Sequence, residues 1–410
     1  MPENVLIIGL QLPQTTDLRF TMQMDELAAL VETAGGQVVS RQGQKRDQED
    51  ARYLIGSGKV REIHDLSQEL DIDLVIFYQQ LSPSQNRNLQ EAIDCPVIDR
   101  VQLILDIFAS RATSKEGKLQ VALAQNEYLL PRLAGMGTVL SRLGGGIGTR
   151  GPGETKLEQD RRVLRNEIQK IRHELKEVEK QRELTRERRQ KSGLFKIGLL
   201  GYTNAGKSTL INALTDAQTY QADQLFATLT PLTRKFSLPN HFEITLTDTV
   251  GFIQDLPPMI IDAFHSTLEE SRNVDLLMIV VDASSAFALE QEEVVNQLLE
   301  DLDMQDLPKL YIYNKRDQVE AGQQVLTPSS PHLLISAQDS QDIEALRQAI
   351  VNQVKTIYQP FAVQVAPEAA NEWLGWQNRF YIEKFEFDKD SESYQIMGYK
   401  PDYLPLPKTE

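Results

Sequence analysis

In this 410-residue chain, Gly201, Tyr202, Thr203, Asn204, Ala205, Gly206, Lys207 and Ser208 fit the pattern G-x-x-x-x-G-K-[ST] at every fixed position. The glycines of such a stretch let successive backbone N–H groups close around phosphate oxygens, and a helix N-terminus adds partial positive charge. Lys207 then reaches the β- and γ-phosphates of a nucleoside triphosphate, and the Ser208 hydroxyl becomes a ligand for Mg2+. The same spacing also occurs in ordinary glycine-rich turns, so the flanks decide. Phe195 to Leu200 reads as a buried strand and Ser208 to Leu214 as the opening of a helix, which puts the glycines at a strand-to-helix turn.

A phosphate loop alone selects neither base nor reaction, and the downstream segments supply both. Asp248, Thr249, Val250 and Gly251 close the strand-like run from Phe242, placing Asp248 to hold Mg2+ through water and the Gly251 amide to touch the γ-phosphate. Asn314, Lys315, Arg316 and Asp317 end a second strand, Lys309 to Tyr313, and match the N-K-x-D guanine reader of GTPases. An Asp317 carboxylate would accept from guanine N1–H and the 2-amino group, neither of which adenine offers. A site built on such bonds rejects the wrong base by on the order of 10^4. Ser336, Ala337 and Gln338 follow a third strand from His332 and form an S-A turn whose backbone amide meets guanine O6. Between the phosphate loop and Asp248 lie Phe226, Ala227, Thr228, Leu229 and Thr230, where a first switch belongs; Thr228 is the expected second protein ligand of Mg2+, with Thr230 as the alternative. Lys207, Thr228 and Gly251 are the candidate catalytic positions. Each short motif alone reads as turn chemistry. In order, and at strand ends where open α/β sheets bind ligands, they predict GTP or GDP with Mg2+.

Two positions bear on hydrolysis. Ras-like GTPases carry a water-orienting glutamine directly after the D-x-x-G segment, and here that residue is Phe252. A phenyl ring neither orients nor deprotonates water, so slow unaided turnover and completion by a partner are expected; the other reading is that Phe252 packs and Gln254 reaches in. Asn204 stands where some GTPases bind K+ beside the β- and γ-phosphates, a charge that would act as an arginine finger does. A local hydrogen bond to the first switch is an equal reading of that asparagine.

The whole-chain composition narrows the classes. A length of 410 residues predicts two to four domains. The single cysteine, Cys95, excludes intrachain disulfides and Cys-rich zinc sites and suits a reducing cytoplasm. No apolar run approaches a membrane span, and Met1-Pro-Glu-Asn4 lacks the basic flank of a signal peptide. A formal charge of -16 argues against non-specific coating of nucleic acid. From Arg142 to Lys191, however, 15 Lys/Arg face 9 Asp/Glu, a local net of +6, so any nucleic-acid contact should concentrate there. The plainer reading of that stretch is a solvated charged helix. A monomer is expected, although the residues leave oligomeric state open.

The fold class expected is α/β, in four parts. Residues 1–99 alternate strands and helices and predict a parallel sheet. Within them Ile55-Gly-Ser-Gly-Lys59 mimics a phosphate loop, but Tyr53 stands where its first glycine should be, which favours a tight turn. Residues 100–192 read as a helical hairpin: one helix from Asp99 to Arg132, broken at Pro131, and one from Glu154 to Lys191. In the latter, Leu157, Leu164, Ile168, Ile171, Leu175 and Val178 keep an a/d spacing, with Arg161 as the polar exception. The connecting tract 142–154 is glycine-rich and flanks its amides with Arg142 and Arg150, a combination suited to phosphate groups of RNA or nucleotide. Residues 193–358 form the P-loop GTPase domain, and 359–410 a small α+β appendage whose Trp373, Trp376 and Tyr381 read as core.

The tract from Gly144 through Gly151-Pro-Gly-Glu-Thr-Lys156 to Arg162, with Gly201 to Ser208 and Leu225-Phe-Ala-Thr-Leu229, resembles the signature of the HflX family of translational GTPases. The resemblance spans residues 1 to about 360; where the family often has Asp after Phe-Ala-Thr-Leu, this chain has Thr230. It implies association with the large ribosomal subunit, ribosomal RNA contacts through the glycine-rich loop and helical hairpin, and docking controlled by GTP. Some relatives split stalled or idle ribosomes, and some hydrolyse ATP through the N-terminal region.

Overall fold

The computed structural model describes residues 2–133, 152–190, 193–215, 232–248, 273–320 and 325–409, in two units. In the first, β1 (Asn4–Gln11), β2 (Gln37–Lys45), β3 (Leu74–Phe77) and β4 (Val97–Asp99) form a parallel sheet in the order β2-β1-β3-β4. The helices α1 (Asp17–Thr33), α2 (Ser57–Glu69) and α3 (Pro83–Ile93) alternate with these strands. Covered on both faces, β1 and β3 are continuous apolar runs, and Leu6, Ile8, Val75 and Phe77 join Ile63, Leu89 and Val97 in the core. A capping box between Ser82 and Gln85, with Pro83 in the first turn, starts α3. The Gly56-Ser-Gly58 segment opens α2 after an irregular stretch, and Lys59 Nζ is engaged by Gln42 (2.8 Å) and Glu62 (2.6 Å). That is turn and ion-pair chemistry.

Two helices, α4 (Arg100–Arg111) and α5 (Lys115–Leu133), replace the single one expected over this span. The break falls at Ala112, which takes extended backbone (φ -65, ψ 114), and Ser114 Oγ accepts the Gly117 N–H at 3.0 Å. A serine that caps one helix stops the one before it. Pro131 does not end α5. It lies in the last turn, which Arg132 anchors by donating to Leu81 O at 2.7 Å and to the fully buried Asp99 at 3.0 Å. Helix α6 (Pro152–Gln190) meets α5 through Arg172 and Glu127 at 2.7 Å. Among its less exposed positions, Arg161, Leu164, Ile168, Ile171, Leu175 and Val178 recur every three or four residues, with Glu174 beside Leu175.

The second unit holds a six-stranded sheet in the order β10-β9-β8-β5-β7-β6, built from β5 (Phe195–Gly201), β6 (Leu232–Ser237), β7 (Glu243–Asp248), β8 (Leu276–Asp282), β9 (Lys309–Asn314) and β10 (His332–Leu334). All pairs are parallel except β6 on β7, the antiparallel edge. Among the described residues helices α7 (Lys207–Thr215), α8 (Ala288–Asp301) and α9 (Ser340–Ile357) accompany it. The C-terminal strands β11 (Gln359–Val365), β12 (Tyr381–Asp388) and β13 (Ser393–Lys400) form an antiparallel sheet, order β11-β13-β12, with the short α10 (Ala370–Leu374). Trp373 is fully buried there against Phe361 and Phe380, and its Nε1 donates to Lys408 O at 2.9 Å. Tyr381 reaches beyond that core. Its ring meets Phe242 edge-on at 5.8 Å, and Tyr358 in turn meets both Phe242 (6.2 Å) and Phe195 (5.4 Å). Among the described residues no helix is long and apolar enough to cross a membrane.

Candidate nucleotide-binding site

Parallel strands end together, so the C-terminal ends of β5, β7, β9 and β10 lie along one edge of the six-stranded sheet. The turn after β5 is possible only with glycine at two points. A Cβ on Gly201 would stand 2.3 Å from Val280 O, and one on Gly206 would stand 2.2 Å from Asn314 Nδ2, both with positive φ. Between them Asn204 is exposed in the left-handed region at φ 61, a conformation asparagine tolerates. Ala205 is fully buried, Tyr202 nearly so, and the buried Thr203 keeps an Oγ1 with no hydrogen-bond partner among the described residues.

Lys207 opens α7 and folds back across the loop, donating to Gly201 O at 3.0 Å and Tyr202 O at 2.8 Å. Burial of its ammonium lowers the pKa to about 8, against the opposing charge of Asp248. Asp248 ends β7, beside Leu199 of β5, and is 3% exposed. Ser208 follows in the first turn of α7 and is half-buried. A hydroxyl and a carboxylate are both hard oxygen donors, and a buried carboxylate close enough to act on Lys207 suits a cation that takes its remaining ligands from phosphate and water.

The base-facing side is tied to the phosphate side by one amide. Asn314 Nδ2 donates to Ala205 O at 3.0 Å while its Oδ1 accepts from Ala337 N at 3.0 Å. The Ala337 amide of the S-A turn is thus engaged by Asn314. The Gln338 N–H, held to Ser336 Oγ at a loose 3.3 Å, is the more open donor for a base oxygen. Lys315, at φ 64, pairs with Asp282 at 2.7 Å, and Asp282 also accepts from the Ser284 N–H and Oγ. Asp317 is exposed. Arg316 turns away from it toward Asp339 and Asp342. Asp282 and Asp342 are missing from any motif reading; their only sequence signal is an acid at a strand end and another just after the S-A turn.

Phe226, Ala227, Thr228, Leu229 and Thr230, Thr249, Val250 and Gly251, Phe252 and Gln254, and Arg142 and Arg150 of the glycine tract all lie outside the described residues.

Comparison with known proteins adds three family models in chain order: a GTP-binding GTPase N-terminal region over residues 21–109, a GTP-binding GTPase middle region over 111–189, and a 50S ribosome-binding GTPase domain over 196–315. The GTPase HflX of Alkalihalophilus pseudofirmus is 45% identical over 397 residues, 97% of this chain and 93% of its own. That of Escherichia coli is 39% identical over 417 aligned residues, 100% of this chain and 96% of its own. A GTP-binding protein from Sulfolobus solfataricus, solved with GDP, aligns over 86% of this chain and 98% of its own at 25% identity and a TM-score of 0.46.

Proposed function

We propose, from the premise that this chain belongs to the HflX family of GTPases, that it hydrolyses GTP to GDP and phosphate and that its nucleotide state governs binding to the large ribosomal subunit. The observation that carries the nucleotide half is the Asn314 bridge, because it joins the loop that would hold phosphate to the turn that would hold the base. In the reaction, water attacks the γ-phosphorus, the bond to the β–γ bridging oxygen breaks, and GDP leaves with that electron pair. Lys207, released from Gly201 O and Tyr202 O, neutralises charge on the β- and γ-oxygens, and the amides of Gly206 to Ser208 at the start of α7 add their dipole. Gly251 N–H would touch the γ-phosphate. Ser208, Thr228 and Asp248 would hold Mg2+, which when bound draws charge off the phosphate oxygens. Asp317 would read guanine, with Lys315 and Gln338 flanking the base.

Ribosome engagement is supported by the description of the domain model over 196–315 and by the net positive stretch from Arg142 to Lys191. In this reading the glycine tract and the helices α5 and α6 meet ribosomal RNA, in the service of ribosome splitting, rescue or translation control, in the cytoplasm and as a monomer. With Phe252 in place of a water-orienting glutamine, turnover is slow until the subunit completes the site. The test is GTP hydrolysis with and without purified large subunits, in matched K+ and Na+ buffers. Stimulation by the subunit supports the reading, and K+ dependence would assign Asn204 to a second cation. No stimulation would leave a GTP-dependent recruitment switch with hydrolysis as its timer.

A further inference from the structure

Arg316 fills the one position that N-K-x-D leaves open, and its guanidinium is fixed. Nη2 lies 2.9 Å from Asp342 Oδ2 and 3.3 Å from Asp339 Oδ2. The same Asp342 oxygen accepts the Ser336 backbone N–H at 2.7 Å, and Asp342 is 9% exposed in the first turn of α9. Arg316 also donates its backbone N–H to Ile335 O at 3.0 Å. The turn bearing Asp317 and the turn bearing Ser336 to Gln338 are therefore joined twice, by Asn314 at Ala337 and by Arg316 at Ile335 and, through Asp342, at Ser336.

We propose that Arg316 and Asp342 form a specificity clamp, a positioning pair that sets the distance between the Asp317 carboxylate and the base-facing amide and thereby the discrimination for guanine's 2-amino group. The proposal rests on the guanine-site reading above. Guanine is read from two sides by groups on two separate loops, and hydrogen bonds weaken steeply outside a narrow range of distance and angle. Anything that fixes the loop separation fixes the fit. A half-exposed ion pair alone contributes little. Here one end is buried and its acceptor oxygen also holds a backbone N–H of the opposite loop, so the charge of Arg316 keeps that oxygen, and Ser336 with it, in one place.

The experiment measures GDP and IDP affinity of the full chain by displacement of a fluorescent GDP; IDP lacks the 2-amino group and so one of the two Asp317 bonds. The native chain should prefer GDP by about tenfold or more, the worth of one hydrogen bond to a charged acceptor. Arg316→Ala and Asp342→Asn should each lower that ratio by about threefold or more, the double variant should lower it no further than the stronger single, and Arg316→Lys should recover part of it. An unchanged GDP-to-IDP ratio in Arg316→Ala, whatever happens to melting temperature or absolute affinity, would overturn the clamp. A native chain with no preference for GDP over IDP would instead remove the guanine-site reading, and the clamp with it.

Discussion

Nucleotide affinity should fall with rising pH from about pH 8, and Lys207 sets the size of the effect. Its ammonium is buried across the phosphate loop, which lowers its pKa from 10.5 to about 8 in the nucleotide-free protein. A bound phosphate stabilises the ammonium and restores a higher value, so binding takes up a proton above pH 8. The affinity follows the protonated fraction, about nine-tenths at pH 7 and about one-tenth at pH 9, which is roughly a tenfold loss of GDP affinity across that range. Isothermal titration in buffers of different ionisation enthalpy reads both the constant and the proton: close to one proton should be taken up per GDP at pH 9. Lys207→Arg, whose guanidinium stays charged throughout, controls for ionisation of the nucleotide itself. The same group affects folding. Lys207 is charged in both folded and unfolded chains below about pH 8, where its burial cost is fully present. Between about pH 8 and 10.5 the unfolded chain holds the extra proton, so the nucleotide-free fold gains up to about 1.4 kcal/mol per pH unit relative to a Lys207→Gln control. A GDP constant that stays flat within about twofold from pH 7 to 9, with no proton uptake, would refute the reasoning.

Lys207→Ala should abolish GTP binding in a filter or fluorescence assay, and unchanged affinity would sink the phosphate-loop assignment. Asn314→Ala breaks both halves of the bridge between the loops and should weaken GDP by about 10- to 100-fold, since it strands a carbonyl and an amide at about 1–3 kcal/mol each. Asp99→Ala leaves Arg132 without its buried partner and should cost about 3–5 kcal/mol in chemical denaturation, while nucleotide affinity measured on the folded fraction stays native. Trp373→Ala should cost about 3–5 kcal/mol through its cavity, detected as an earlier unfolding transition.

The second sheet was legible in the sequence because its central strands are covered on both faces. Phe195 to Gly201 and Leu276 to Asp282 are nearly unbroken apolar runs, a pattern that surface loops do not imitate. The turns that close β5 and β9 stand out for the complementary reason: backbone geometry sets their residue types, with positive φ at Gly201, Gly206 and Lys315. The division between α4 and α5 falls in a polar stretch, Ser110 to Gly117, with no buried residue and no proline to mark it, and only Ser114 signals the stop. The proline signal misplaced the break at Pro131, because the Arg132 bonds that hold the last turn reach Leu81 and Asp99, residues distant in sequence. In the C-terminal sheet the apolar/charged alternation of the sequence gives only β12, because β11 and β13 carry apolar residues, Ala362 and Met397, at exposed positions. The contacts of Arg316, Asp342 and Asp282 were invisible because no motif constrains side chains whose job is to hold a neighbouring turn.

Tyr381 makes the C-terminal sheet inseparable from the domain that precedes it. Its ring closes the aromatic cluster of Phe195, Phe242 and Tyr358, and Gly193, at the entrance to β5, sits so near Leu404 and Arg379 that a Cβ there would stand 2.8 Å from Leu404. A chain cut after Tyr358 keeps every nucleotide motif and yet exposes the floor of its own sheet to water. Fragments made at that boundary should aggregate, and the two pieces should stay soluble only when expressed together.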